Sequence, residues 1–285
     1  MVWDGIVACD LFCAGMGAWT FIFTALACPR AEKARTVRLA GFVVAAASVA
    51  LGALILAVDA KGGLLHPLRY FNLLGNFGSV MMWGVVLISL FLVGALACIV
   101  SLARCRVVPR ALELACVALG LGVSLYTGVL LGTSPAFPLW NLAVLPIAFL
   151  VSAAYSGYAA YGLIDRFAGG ESHDLPAWVR AAGIALPMLL AIAIAALLMV
   201  AAGTQGSGAA AANASVSNLV SGSYAAPFWG GVVLVGIVAP LALAAVRLRR
   251  ENAASWLPLA EWALILVGGF AFRYVVVMGA VPVFA

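Results

Sequence analysis

Histidine, charged residues and closely spaced cysteines are all scarce in this chain, and each scarcity excludes a class of protein. Only 9% of the 285 residues are charged and 66% are hydrophobic, a composition that a water-soluble protein cannot carry. The six cysteines have no Cys-x-x-Cys spacing, so we expect small packing residues and no iron–sulfur cluster in this chain. The two histidines, His66 and His173, fall on opposite sides of the predicted membrane, which excludes a haem held by two histidines.

Eight long apolar stretches make up most of the sequence. Each has roughly 19–25 residues and can cross a hydrocarbon layer of about 30 Å as a helix. The stretches are residues 5–28, 39–58, 79–101, 112–132, 139–163, 181–202, 228–246 and 258–281. The sequence therefore predicts an all-α, multi-pass protein of the inner or plasma membrane that binds no nucleic acid. Residues 203–227, rich in Ala, Gly, Ser and Asn, predict a flexible or partner-covered surface segment.

Positive charge is concentrated in alternate connections between these stretches. Twelve basic residues lie there: Arg30, Lys33, Arg35, Arg38, Arg104, Arg106, Arg110, Arg166, Arg180, Arg247, Arg249 and Arg250. The other connections hold only Lys61 and Arg69. Because positively charged connections stay in the cytoplasm, we expect both termini on the outer, periplasmic or extracytoplasmic, side.

A small set of polar residues is predicted to lie near the outer face of the membrane. Asp10 is about 8 Å, Tyr126 about 10 Å and Arg273 about 12 Å below the outer ends of their helices. Asp59 closes the second stretch, and Arg69 follows in the next connection. Ionisable groups inside a membrane are costly and mark functional sites by default. Structural interpretations stay open: an ion pair or hydrogen bond for Asp10 and Arg273, packing for Tyr126, and an interfacial position for Asp59.

Other residues have a structural interpretation. Glu113 and Glu261 stand near the N-termini of their helices, where a carboxylate complements the helix dipole. Gly128 and Gly132 have the spacing of helices that pack closely. Trp140 falls near a predicted boundary, as interfacial tryptophans do.

Several ordered sequence blocks along nearly the whole chain resemble the NrfD/polysulfide-reductase membrane-subunit family. The blocks are residues 10–18, 66–71, 79–84, 126–131, 138–141, 145–149, 152–157 and 268–274. The most specific is the block that begins Tyr126-Thr127-Gly128, and another reads Ser-Val-Met-Met-Trp-Gly at 79–84. The chain departs from the family pattern at residues 60–66, where it has an apparent insertion and no arginine before Pro67.

The resemblance implies a quinone-reactive subunit of a respiratory oxidoreductase complex that itself lacks the catalytic centre. It implies two four-helix bundles, residues 1–134 with the quinone site and residues 135–285. The bound substrate would be menaquinol or another quinone, and this chain would hold no haem, cluster or metal. An iron–sulfur, ferredoxin-like subunit and a molybdopterin catalytic subunit would dock on the outer face.

Roles for the polar residues follow from this resemblance together with the chemistry of quinol oxidation. We expect Asp10 to accept a proton and Tyr126 to hydrogen-bond a quinone oxygen. Asp59 would provide a proton exit, while Arg69, Trp140 and Arg273 would contribute to the binding site. Two alternatives stay open: a proton or solute transporter, which predicts discontinuous helices at mid-membrane, and a purely structural membrane anchor.

Overall fold

The computed structural model describes residues 4–59, 78–169, 175–249 and 256–283, apart from the side chains of residues 33, 58, 59 and 248. Within these ranges every regular element is a helix. The helices are α1 (Gly5–Ala27), α2 (Arg35–Asp59), α3 (Val80–Ala103), α4 (Arg110–Gly132), α5 (Leu145–Ala168), α6 (Ala177–Ala202), α7 (Ala209–Val220), α8 (Pro227–Val238 continued by Ala239–Arg249) and α9 (Leu257–Met278).

All of these helices except α7 are long and apolar enough to cross a membrane, which confirms the predicted all-α, multi-pass protein. Helices are the expected form because a segment inside hydrocarbon must satisfy its backbone hydrogen bonds internally. The fifth crossing begins later than the predicted residue 139. Residues 139–144 form turns instead, in which the Asn141 side chain accepts a 2.8 Å hydrogen bond from the Ala143 amide.

The spanning helices pack in two closed rings, α1–α4 and α5, α6, α8 and α9. One buried cluster is drawn from residues 14–130 and includes Phe21, stacked on Phe42 with ring centroids 4.4 Å apart. A second cluster joins the other ring to α1 and includes Phe149, Tyr158 and Phe272. Helix α1 therefore contributes to both cores, and it contacts α5 and α9 as well as α2 and α4.

The helices alternate in direction, so the bundle has two ends that differ in charge. The basic end carries the C-terminus of α1, the N-terminus of α2 and the arginines that follow α3. The terminal end carries the N-terminus of α1 and the C-terminus of α9. Which end faces the cytoplasm stays a prediction.

Helix α7 lies in the connection that the sequence predicts to be flexible, and the flexible part of that expectation is wrong. The Ser215 hydroxyl accepts a 2.8 Å hydrogen bond from the Val281 amide, and the Asn218 amide donates to the Gly279 carbonyl at 3.2 Å. Leu219 is buried on the same side. These contacts fasten α7 to the segment after α9. Covering of this segment by a partner stays a prediction.

The first half of α8, Pro227–Val238, is wound as a π-helix. Its last bond runs from the Ala239 amide to the Leu234 carbonyl, five residues back. Within this half, Gly236 lies directly against Gly268 of α9, so neither position leaves space for a side chain. Gly128 and Gly132 of α4, for which the sequence predicts close packing, lie against the backbone of Pro146 and Leu142, which confirms that prediction.

Candidate functional site

Asp10 is a buried carboxylate on the face of α1 that packs against α2. Its residue exposure is 5%. A Cβ at Gly52 of α2 would stand 3.0 Å from an Asp10 carboxylate oxygen, so the glycine is what lets the two helices meet at this acid. Among the described residues, no side chain donates a hydrogen bond to the carboxylate. Asp10 is thus a buried carboxylate without a hydrogen-bond donor in the described part of the protein.

Tyr126 is the predicted site residue on α4. It is 8% exposed, belongs to the core of residues 14–130, and its ring and hydroxyl lie against Gly84 of α3. Any side chain at Gly84 would overlap the phenol. Asp10 and Tyr126 lie on α1 and α4, two helices of the first ring that contact each other.

Arg273 lies on the other side of α1, away from Gly52. Its guanidinium donates a 2.8 Å hydrogen bond to the Phe149 carbonyl and stacks on the Phe149 ring, 3.8 Å from the centroid. A Cβ at Gly15 would stand 3.2 Å from the same guanidinium. Arg273 therefore joins α9, α5 and α1. Among the described residues its partners are a carbonyl and a ring, not a carboxylate.

Trp140 lies in the segment that connects α4 to α5 and is buried, whereas the sequence predicts an interfacial anchor. Its indole N–H donates a 2.9 Å hydrogen bond to the Val276 carbonyl, and its ring stacks on Phe137 at 4.2 Å. Its exposure is 2%. The position at the end of a crossing is confirmed, but the indole is fixed by protein contacts. A role in quinone binding stays a prediction.

The structure does not describe the side chains of two predicted site residues, Asp59 and Arg69. The side chain of Asp59 and all of Arg69 lie outside the described residues, as do both histidines.

Within the described ranges, no three His, Cys, Asp or Glu side chains come together as metal ligands. The terminal end also has a cleft of about 460 Å³ lined by Pro138, Gln205 and Val283, and neither Asp10 nor Tyr126 lines it.

Glu113 shows a polar cluster that the sequence interpretation missed. The fully buried carboxylate binds the guanidinium groups of Arg30 and Arg38, and Arg110 approaches it at 3.3 Å. Glu261 also has polar neighbours: the Tyr158 hydroxyl donates to its Oε1 at 3.4 Å, and Arg247 forms an ion pair with its Oε2 at 3.3 Å. The structural interpretation of both acids holds, but specific cations and hydroxyls surround them in addition to the helix dipole.

Comparison with known proteins agrees with this architecture. The family profile described as polysulphide reductase, NrfD matches residues 1–285. The chain belongs to the NrfD family. It is 27% identical to the C subunit of the polysulfide reductase of Wolinella succinogenes, over 96% of this sequence and 92% of the relative. It is 25% identical to the NrfD homolog of Haemophilus influenzae, over 85% and 82%, and 27% identical to NrfD of Escherichia coli, over 85% and 84%.

Membership of the NrfD family establishes the class of the protein. It is an integral membrane subunit of the NrfD/polysulfide reductase type, an electron-transport family. The resemblance inferred from the ordered sequence blocks is thereby confirmed over the whole chain. Asp10 and Tyr126 are the two predicted site residues of the first ring of helices whose side chains the structure describes.

Proposed function

We propose that this NrfD-family protein exchanges electrons between a quinol, menaquinol in the first instance, and an iron–sulfur partner subunit. Quinol oxidation releases two protons and two electrons, and the protons would leave near the terminal end. The observation that carries the proposal is a buried carboxylate, Asp10, which has no hydrogen-bond donor among the described residues, and a buried tyrosine, Tyr126, on contacting helices of one ring.

The two residues suit different parts of this chemistry. A tyrosine hydroxyl can donate a hydrogen bond to a quinone oxygen, and Tyr126 is held in place by its contact with Gly84. A carboxylate that has no fixed donor can accept a proton from the quinol hydroxyl. Asp10 meets that requirement within the described residues. The surrounding helices supply an apolar environment of the kind that a quinone ring and tail require.

The remaining predicted site residues have supporting roles in this proposal. Asp59 would pass protons towards the terminal end, and Arg69 would adjust the charge there. Trp140 and Arg273 would shape the site from the second ring of helices, since both are fixed by contacts with α5 or α9. The two rings support a division into units of residues 1–134 and 135–285, with the quinone site in the first.

The electrons must then leave this protein for a partner. We propose that an iron–sulfur subunit docks on the terminal end and passes electrons to or from a molybdopterin subunit. The basic end would face the cytoplasm.

The proposal is tested by replacing Asp10 in the intact membrane complex. Asp10→Asn removes the proton acceptor while keeping the size of the side chain, so quinol-linked reduction should fall by about 10²-fold or more without loss of membrane assembly. Tyr126→Phe should also lower the rate. Asp4→Asn is the matched control, because Asp4 caps α1 through the Ile6 amide at 2.9 Å and asparagine caps equally well.

Three results would contradict parts of the proposal. Turnover with a quinol analogue that survives Asp10→Asn would show that Asp10 is not the proton acceptor. Failure to co-purify with an iron–sulfur subunit would favour a transporter. Co-purification without quinol-dependent reduction of the clusters would favour a structural anchor.

A further inference from the structure

A small cavity at the basic end is lined by a concentration of arginines. Its volume is about 70 Å³, and it lies between the loop after α1, the start of α2 and the loop after α3. The charged residues on its wall are Arg30, Glu32, Arg35, Arg38 and Arg106. None of them belongs to the proposed quinone site, which lies towards the other end of the helices.

Positive charge exceeds negative charge around this cavity. Four of the lining residues are arginines and one is a carboxylate, Glu32; Arg30 and Arg38 also form ion pairs with the buried Glu113. Glu32 has a side chain that is 90% exposed and reaches Arg35 only at 4.0 Å, so it neutralises little. The residues that line the cavity therefore carry a net positive charge, which favours an anion.

Arg38 has a buried N–H group without an acceptor among the described residues. The residue is 4% exposed, and one end of its guanidinium binds Glu113. Its Nε is buried and has no hydrogen-bond partner among the described residues. A buried N–H without an acceptor is costly, and Arg38 is one of the residues that line the cavity.

We propose that this cavity binds a phosphate group, and that the phosphate belongs to the headgroup of an anionic membrane lipid. Guanidinium groups match phosphate oxygens in geometry and charge, and basic pockets between spanning helices bind lipid headgroups. A lipid is favoured over a free phosphate because the cavity opens where three spanning helices end. Its wall also includes Val107, an apolar residue that is 84% exposed and available to an acyl chain.

The test uses the purified full-length protein in a non-ionic detergent. The midpoint of thermal unfolding is followed while phosphatidylglycerol, phosphatidylcholine of the same acyl length, or inorganic phosphate is added at constant ionic strength. A ligand that binds the folded state raises the midpoint in a saturable way. We expect saturable stabilisation by phosphatidylglycerol and none by phosphatidylcholine.

Arg106→Gln is the informative variant, because Arg106 is exposed and its loss should leave the unfolding midpoint without lipid unchanged. It should raise the phosphatidylglycerol concentration needed for half the effect by about fivefold, the effect of one basic residue near an anionic headgroup. Arg104→Gln is the matched control: it removes the same charge two residues away, at a residue that does not line the cavity. Its effect should stay below about twofold.

The outcomes distinguish the two sources of phosphate and the failure of the proposal. Saturable stabilisation by inorganic phosphate alone, weakened by Arg106→Gln, would support the anion site and assign it to free phosphate. No stabilisation by either phosphatidylglycerol or phosphate would overturn the proposal. Equal weakening by Arg104→Gln and Arg106→Gln would also overturn it, because it would show general attraction to a basic surface.

Discussion

The Glu113 cluster permits a quantitative prediction about stability. Glu113→Gln removes a fully buried charge and leaves three arginines facing a neutral amide. The arginines do not suffer equally. The side chains of Arg30 and Arg110 are 39% and 47% exposed and can turn to water, whereas that of Arg38 is only 4% exposed.

The expected magnitude follows from this difference in burial. Removing one partner of a buried ion pair costs about 3–5 kcal/mol, because the other charge stays buried and unpaired. The two exposed arginines add at most about 1 kcal/mol each, as surface pairs do. We therefore expect Glu113→Gln to lower the free energy of unfolding by about 3–7 kcal/mol, of which about 3–5 kcal/mol comes through Arg38.

The assay is unfolding of the purified protein in mixed micelles with an increasing fraction of a denaturing detergent. Glu32→Gln is the control, since it makes the same chemical change in a side chain that is 90% exposed, and it should cost less than about 1 kcal/mol. The double variant Arg38→Gln/Glu113→Gln should be less destabilised than the sum of its single variants by about 0.5–3 kcal/mol. The reasoning is refuted if Glu113→Gln and Glu32→Gln have equal stability.

Two further predictions use the glycine contacts and the native cysteines. Gly84→Ala should cost about 1–3 kcal/mol and reduce quinol-linked activity, because its Cβ would overlap the Tyr126 ring. Gly230→Ala, where a Cβ meets nothing within 4 Å, should do neither, and equal effects in thermal unfolding would contradict the assigned contact. A membrane-impermeant maleimide should label the exposed Cys105 in inverted vesicles but not in intact cells, if the basic end is cytoplasmic. Nearby Cys28 should stay unlabelled, because burial raises the pKa of its thiol to about 12 and leaves little thiolate at neutral pH. Labelling of Cys105 in intact cells would invert the predicted orientation.

The spanning helices could be predicted from sequence because their length is set by the thickness of the hydrocarbon layer. The depth of a residue along its helix could be predicted for the same reason. Asp10 near the start of α1 and Tyr126 near the end of α4 are both buried towards the terminal end of the bundle. Which neighbouring helix a side chain faces could not be predicted in this way, because that depends on its direction around the helix axis. A shared depth suggested that Arg273 lies with Asp10, but Arg273 packs on Gly15 and Phe149 instead.

Contacts between distant segments were equally out of reach. Arg38 and Glu113 are 75 residues apart, and Arg30 and Glu113 are 83 apart, so only the packing of α1, α2 and α4 brings them together. The sequence offered a helix dipole as the explanation for Glu113 and membrane topology as the explanation for the arginines. Gly84 was visible as part of a sequence block, but its contact with Tyr126 required knowledge of which helices are neighbours.

The position of α1 in both cores has a consequence for biogenesis. This helix leaves the ribosome before two of its partners, α5 and α9, which are synthesised much later. Until then one side of α1 must be covered by lipid or by the insertion machinery. The surroundings of α1 are therefore completed only when α9 has been made. A nascent polypeptide that stops before residue 257 should hold α1 in a form open to degradation, although every residue of that helix is already present.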